Sequence, residues 1–187
     1  MRVRERRERL FVLLVFLVVI GGWAIASNIH TEVVREPPAQ PTILSESDFV
    51  VVTGSSSSLI VGHTTREEAQ KLYPQGNDLG RSGVYRPNNQ DFLLTFTRKE
   101  NVLNKIDIGV CELSTARGLI VNDSFDKVIE KYGSNYTKAY VKNKPQVFDA
   151  YYGSDQYILF KVENNVVKKI IIGHPLAGET KSSPRLF

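Results

Sequence analysis

Around residue 125 the apolar positions fall into the period of a helix. Phe125, Val128, Ile129 and Tyr132 stand at i, i+3, i+4 and i+7, a single apolar stripe. Ser124 supplies a hydroxyl for the free N–H groups at the start, and Gly133 allows the stop. Sixty residues earlier the chain carries a related stretch, with Leu59-Ile60-Val61 matching Leu119-Ile120-Val121. There Thr64 and Glu67 have capping-box spacing, Ala69, Leu72 and Tyr73 are expected to face inward, and Pro74 ends the helix.

Each helix is followed by β-type patterning. Phe92–Phe96 with Val102–Ile108 predicts one hairpin, and Ile158–Phe160 with Val166–Gly173 predicts its counterpart at an offset of 64. Glu100-Asn101 and Asn164-Asn165 sit where a two-residue turn needs positive φ, which Asn tolerates. Phe49–Thr53 reads as a strand, Gly54 and the four serines after it as a turn, and residues 75–90 as a loop with a short strand at Val84-Tyr85. A fixed-offset repeat is a strong organising signal. The fold class expected is α+β: two tandem repeats, residues 48–110 and 111–173, each a short helix followed by antiparallel strands, then a tail over 174–187. Either unit alone would bury too little surface to be stable, so the two should pack together.

The N-terminal pattern is of another kind. Residues 1–9 are Arg-rich, and residues 10–26 carry no charge over seventeen positions, at the short end for a transmembrane helix. Arg residues on one flank keep that side cytoplasmic, which places the remainder outside. Two readings compete: an uncleaved single-pass anchor, and a signal peptide cut after Ala24-Ile25-Ala26, which would release the protein. Both export the chain. Residues 27–47, with Pro37, Pro38 and Pro41, read as a linker reaching tens of Å at ~3 Å per residue.

Charge removes one class of partner. Of 24 basic and 20 acidic residues, five and two lie within residues 1–9, leaving 19 against 18. No basic face remains to follow a phosphate backbone, so no nucleic acid is expected. Cys111 is the single cysteine, which excludes an intrachain disulfide and a four-cysteine zinc site.

The helix opening with an apolar-x-Gly/Asn-x-Ser/Thr pattern and ending near Tyr-Gly, followed by a Tyr-rich strand and an Ile-x-Ile-Gly hairpin, resembles a known fold. It is similar to the tandem β-lactamase-inhibitor-protein-like repeat domain, of the SmpA/OmlA type and the type associated with secreted CAP proteins. The resemblance rests on Leu119–Gly133 with Tyr157–Gly173, and on Leu59–Pro74 with Phe92–Gly109. It implies an exported binding or scaffolding module without catalysis or cofactor. The chain lacks the lipid-bearing cysteine of the envelope lipoproteins and the disulfides of the inhibitor, so neither outer-membrane assembly nor β-lactamase binding carries over.

The sheet supplies the candidate site. Pairing across a two-residue turn sets Leu159 opposite Ile170 and Tyr157 opposite Ile172, on the side facing the helix. Alternation then sends Ile158, Phe160, Val162, Val167 and Ile171 to the other side, joined by Leu94 and Phe96 and extended by Tyr151 and Tyr152. An apolar face turned away from the helices is a docking surface for a protein or envelope polymer unless the repeats or linker cover it. Cys111 with His63 or His174 would be the parts of a nucleophilic site, and His30, His63 and His174 those of a metal site, but no spacing joins them. Lys138, Lys142 and Lys144 form a modest basic run that reads as a solvated loop, with contact to an acidic envelope polymer as the alternative. Asn122 and Asn135 begin glycosylation-type triplets, the first better explained by the helix start. The function expected is that of a membrane-tethered extracytoplasmic module; the alternatives are a released inhibitor-like protein and a Cys/His hydrolase.

Overall fold

The computed structural model describes residues 32–54, 57–80 and 83–174. The apolar run 10–26 and the tail beyond His174 lie outside them. Among the described residues no helix is long and apolar enough to cross a membrane. The chain divides at Glu32/Val33 into two units, and every described strand and helix belongs to the second.

That unit is dominated by antiparallel β-structure. Its strands are β1 (Val33–Glu36), β2 (Val50–Val52), β3 (Ser58–Ile60), β4 (Gly76–Leu79), β5 (Val84–Pro87), β6 (Phe92–Phe96), β7 (Leu103–Ile108), β8 (Ser114–Thr115), β9 (Thr137–Val141), β10 (Val147–Gly153), β11 (Tyr157–Glu163) and β12 (Val166–Gly173). Among the described residues two short helices interrupt them, α1 (Arg66–Leu72) and α2 (Phe125–Tyr132), with a 3-10 turn at Glu46–Phe49. Nine strands form one sheet in the order β1-β9-β10-β11-β12-β7-β6-β5-β4, and β3-β2-β8 form a small second sheet. The two halves of the large sheet meet where β12 pairs β7, with Ile170 opposite Ile108 and Ile172 opposite Ile106.

One face of the large sheet, here the inner face, makes the core. Across it run Tyr152, Ile158, Ile172, Ile106 and Leu94, and beside them Ala150, Phe160, Ile170, Ile108 and Phe92. These pack with Ala69 of α1, with Phe125, Val128 and Tyr132 of α2, and with Val51 and Leu59 of the small sheet. The stripe read from α2 is the buried face of that helix, with Ile129 half-buried against the same core. In α1 only Ala69 is fully buried; Leu72, expected inside, is 38 % exposed.

Both helices begin on a hydroxyl cap, though α1 starts one residue later than its spacing suggested. The cap is Thr65, whose N–H donates to Glu68 Oε2 at 2.8 Å while its Oγ1 accepts from Glu68 N–H at 3.3 Å. Thr64 is buried instead, and its Oγ1 accepts from Ile60 N–H at 2.7 Å. Ser124 caps α2, and Gly133 closes it with φ 83°. The loop before each helix is held to a hairpin by the same bonds. Gly62 N–H donates to Leu103 O and Leu103 N–H to Thr64 O; Asn122 N–H donates to Val167 O and Val167 N–H to Asp123 O. Arg66 N–H reaches Asn101 O, and Phe125 N–H reaches Asn165 O. Those two carbonyls belong to turn asparagines at positive φ, 53° and 63°.

Residues 27–47 are not simply a linker. Val33–Glu36 pair with β9 as β1, Thr42 donates from N–H and Oγ1 to Asn135 O, and Leu44 packs on the core. Gly76–Leu79, within the segment read as loop, form the opposite edge strand β4.

Candidate functional site

The register of β11 on β12 decides which residues face outward. From the Asn164-Asn165 turn, Glu163 pairs Val166 and Val162 pairs Val167, as a two-residue hairpin requires. Then Lys161 pairs Lys169, so Lys168 is an extra residue in a β-bulge. One extra residue reverses the parity of the partner strand. Leu159 therefore pairs Ile171, not Ile170, and Phe160 and Ile158 follow Ile170 and Ile172 into the core. The first hairpin has its bulge between Thr95 and Phe96.

The consequence for the candidate face is a correction. Leu94, Tyr152, Ile158, Phe160 and Val167 are 0 % exposed and Phe96 and Val162 are 1 %, so these residues are core and present no surface. Phe160 lies 5.5 Å from the Tyr132 ring and 5.8 Å from that of Tyr152. Tyr151 and Ile171 alone of the nine belong to the outer face, and both are half-buried there.

By register the outer face carries Thr137, Tyr151, Leu159, Ile171, Asp107 and Leu93 in one row, and Asp149, Lys161 and Lys169 in the next. Tyr151 stacks on Tyr157 with ring centres 5.1 Å apart, at an interplanar angle of 21°. The apolar centre is flanked by ion pairs, Lys105–Asp107 at 3.3 Å and Lys161–Asp149 at 3.8 Å. Burial pushes the Asp149 carboxyl up, against the pull of Lys161, and pushes the Tyr151 hydroxyl to about 12. Tyr151, Tyr157, Leu159 and Ile171 stand outside the core cluster to which both helices and the small sheet contribute. Tyr157 and Leu159, expected on the side facing the helix, lie on the outer face instead, because the bulge changes their partners to Gly173 and Ile171; Lys105 and Asp107 were not singled out from sequence.

At the end of this face a cleft of about 510 Å³ opens beside Gly109, lined by Arg86, Asn88, Asn89, Asp91, Asp107 and Lys169 among others. Asp91 shapes it: its Oδ2 accepts from Val110 N–H at 2.8 Å, and a Cβ on Gly109 would collide with that carboxylate.

The nucleophile candidates separate. His174 packs against Gly62 and 5.8 Å from the Phe49 ring, close enough to His63 that burial and the charge of His63 together lower its pKa. Cys111 is half-buried elsewhere, its thiol pushed up by burial, with Asp91 and Glu112 as its charged neighbours. Among the described residues no three metal-ligating side chains converge; His30 lies outside them. Lys138 sits over the rings of Tyr140 and Phe148 at 5.0 and 4.8 Å, and so is engaged at the sheet edge, while Lys142 and Lys144 lie on the β9–β10 hairpin. Compared with protein-family models, curated proteins and solved structures, the chain matches none.

Proposed function

We propose that this chain is a membrane-tethered extracytoplasmic module that binds or scaffolds a protein or envelope polymer without catalysis. We read it as two tandem helix-plus-strands units, and the outer sheet face as the binding surface. The recurring loop-to-hairpin bonds around Thr64 and Asp123 support the tandem reading. The binding reading is carried by the outer face, where Tyr151 and Ile171 are half-exposed beside the buried Tyr157 and Leu159 and are flanked by ion pairs, outside the core cluster. Aromatic centres with polar rims are the composition of protein interfaces.

The test is a photo-crosslinking residue at Tyr151 or Ile171 in the full chain, expressed in intact cells, with Lys99 on the β6–β7 turn as control. A discrete adduct from the face positions, absent from Lys99 and lost in a folded Ile171→Lys variant, is expected. Equal labelling from all three positions would overturn the reading. Phe160→Asp is unsuitable as a probe because it places a charge in the core and should abolish folding. Cys111→Ala should leave any activity of the chain intact; its loss in step with that substitution would favour a hydrolase.

A further inference from the structure

The cleft beside Gly109 gathers charges that the domain leaves unpaired. Lys169 of β12 lies one position beyond the Ile170–Ile108 pair, and so next to Gly109. Asp91 lies on the other side, where Gly109 N–H donates to Asp91 O at 2.7 Å. Arg86 enters from β5, one position beyond the Tyr85–Leu94 pair. Lys169 also stands directly opposite Lys161, and like charges paired across strands cost stability. Asp149 engages Lys161 at 3.8 Å. Among the described residues neither Lys169 nor Arg86 has an ion-pair or hydrogen-bond partner. Asp107 is paired with Lys105 at 3.3 Å, Asp78 with Arg66, and Glu112 packs on Gly54, while Glu163 lies on β11, two strands away from Gly109.

Asp91 is held for a different purpose. Its Oδ2 is fixed by Val110 N–H at 2.8 Å, and its Oδ1 has no hydrogen-bond partner among the described residues. Gly109 makes room for it: its φ is outside the left-handed region, so space and not backbone conformation calls for glycine there. The cleft thus offers two unpaired cations, one fixed acceptor, the side-chain amides of Asn89 and Gln90, and Val110 at 63 % exposure. Its volume of about 510 Å³ falls within the roughly 300–1,000 Å³ of small-molecule sites.

We propose that this cleft binds one unit of an acidic envelope glycan, a sugar or polyol that carries a carboxylate or phosphate. The anion sits between Lys169 and the Arg86 fork, a neighbouring hydroxyl donates to Asp91 Oδ1, and the amides take the remaining hydroxyls. A polar lining of this kind is unlike the apolar centre of a protein interface, and Asp91 repels the successive carboxylates of an acidic peptide while accepting from a hydroxyl. The proposal rests on the reading of the outer face as a binding surface and names a polymer as its partner.

The experiment titrates the full chain, in detergent, into end-labelled oligomers and follows their fluorescence anisotropy. The probes are an oligogalacturonate, its neutral methyl ester, a glycerol phosphate oligomer and hexaglutamate. One acidic oligomer, oligogalacturonate or glycerol phosphate, should bind at least about ten-fold more tightly than the ester and hexaglutamate, and the tighter of the two identifies the anion. Lys169→Gln and Arg86→Gln should each weaken it by about ten-fold. Lys168→Gln, exposed in the same bulge, should change it less than about two-fold. Lys169→Gln should leave the melting temperature unchanged or raised, because it removes the like-charge pair. Hexaglutamate or the ester binding as tightly as the acidic oligomers, equal losses in Lys168→Gln and Lys169→Gln, or no binding of any probe overturns the proposal. If the Tyr151 and Ile171 adducts form while no oligomer binds, the partner is a protein and the cleft proposal fails alone. Oligomer binding without those adducts overturns the outer-face reading and leaves the cleft site standing.

Discussion

Arg117 joins three parts of the domain that are distant in sequence. Its guanidinium donates from Nε and one amine to the two oxygens of Asp48, at 2.6 and 2.8 Å, and from the other amine to Lys131 O at 2.6 Å. It also lies 4.3 Å from the centre of the Tyr132 ring. Asp48 is 1 % exposed and takes two more bonds from Ser45, at its N–H and its hydroxyl. Burial alone would raise the Asp48 pKa, but Arg117 and Ser45 outweigh it and hold the carboxyl below 3.8. Its contribution is therefore complete above pH 3.8 and is lost as the pH falls through the lower folded value. Arg117→Ala strands a buried carboxylate and should cost about 2–4 kcal/mol in denaturant unfolding; Arg117→Lys should recover only part, because lysine lacks the fork. Nothing in the sequence pattern marked this pair, since partners 69 positions apart leave no periodic trace.

His174 gives the domain a second, milder pH response. Its folded pKa is lowered from 6.5, by burial first and His63 second. Below pH 6.5 the unfolded chain takes the proton before the folded one does, so stability falls with pH until the folded value is passed and then levels off. Melting temperature measured across this window should slope downward toward acid in the parent, and His174→Gln should flatten that slope.

At the scale of elements, what was legible follows from local chemistry. The α2 stripe, the Ser124 cap, the Gly133 stop and the asparagine turns each depend on neighbours within a few residues, and the elements stand where those signals put them. The faces of the second hairpin were not legible, because a bulge is a tertiary accommodation that a strand's alternation does not announce. One inserted residue, Lys168, moved Ile158 and Phe160 from the expected surface into the core. Lys168 is itself exposed, so Lys168→Ala should change stability by less than about 0.5 kcal/mol. Deleting Lys168 should reverse the parity of β11 against β12 and abolish cooperative unfolding. The pair of variants, compared by circular dichroism on heating, separates the side chain's contribution from that of the backbone register.

At the scale of the molecule, proline content suggested a long spacer where the chain returns to the sheet edge. Pro37, Pro38 and Pro41 are compatible with both, since β1 ends at Glu36 before the first of them. Only the pairing of Val33–Glu36 with Val141–Lys138 distinguishes a spacer from an edge strand, and four residues are too few for an alternation signal. The outer face was obscured for a related reason: its Leu159 and Tyr157 are apolar enough to read as core, and are 4 % and 8 % exposed despite lying outside the core cluster.

The junction at which β12 meets β7 has a kinetic consequence. Ile106 faces Ile172 and Ile108 faces Ile170, positions that the 64-residue offset interchanges, so the seam is self-complementary. The hairpins on either side close short loops and form quickly, whereas the seam must bring together segments far apart in the chain. During concentrated refolding, a seam formed by equivalent edges does not distinguish its own other half from that of a neighbour. Rapid dilution from denaturant at high protein concentration should therefore yield exchanged dimers that separate only on unfolding, and slow refolding at low concentration should yield monomers alone, a difference that size-exclusion chromatography resolves.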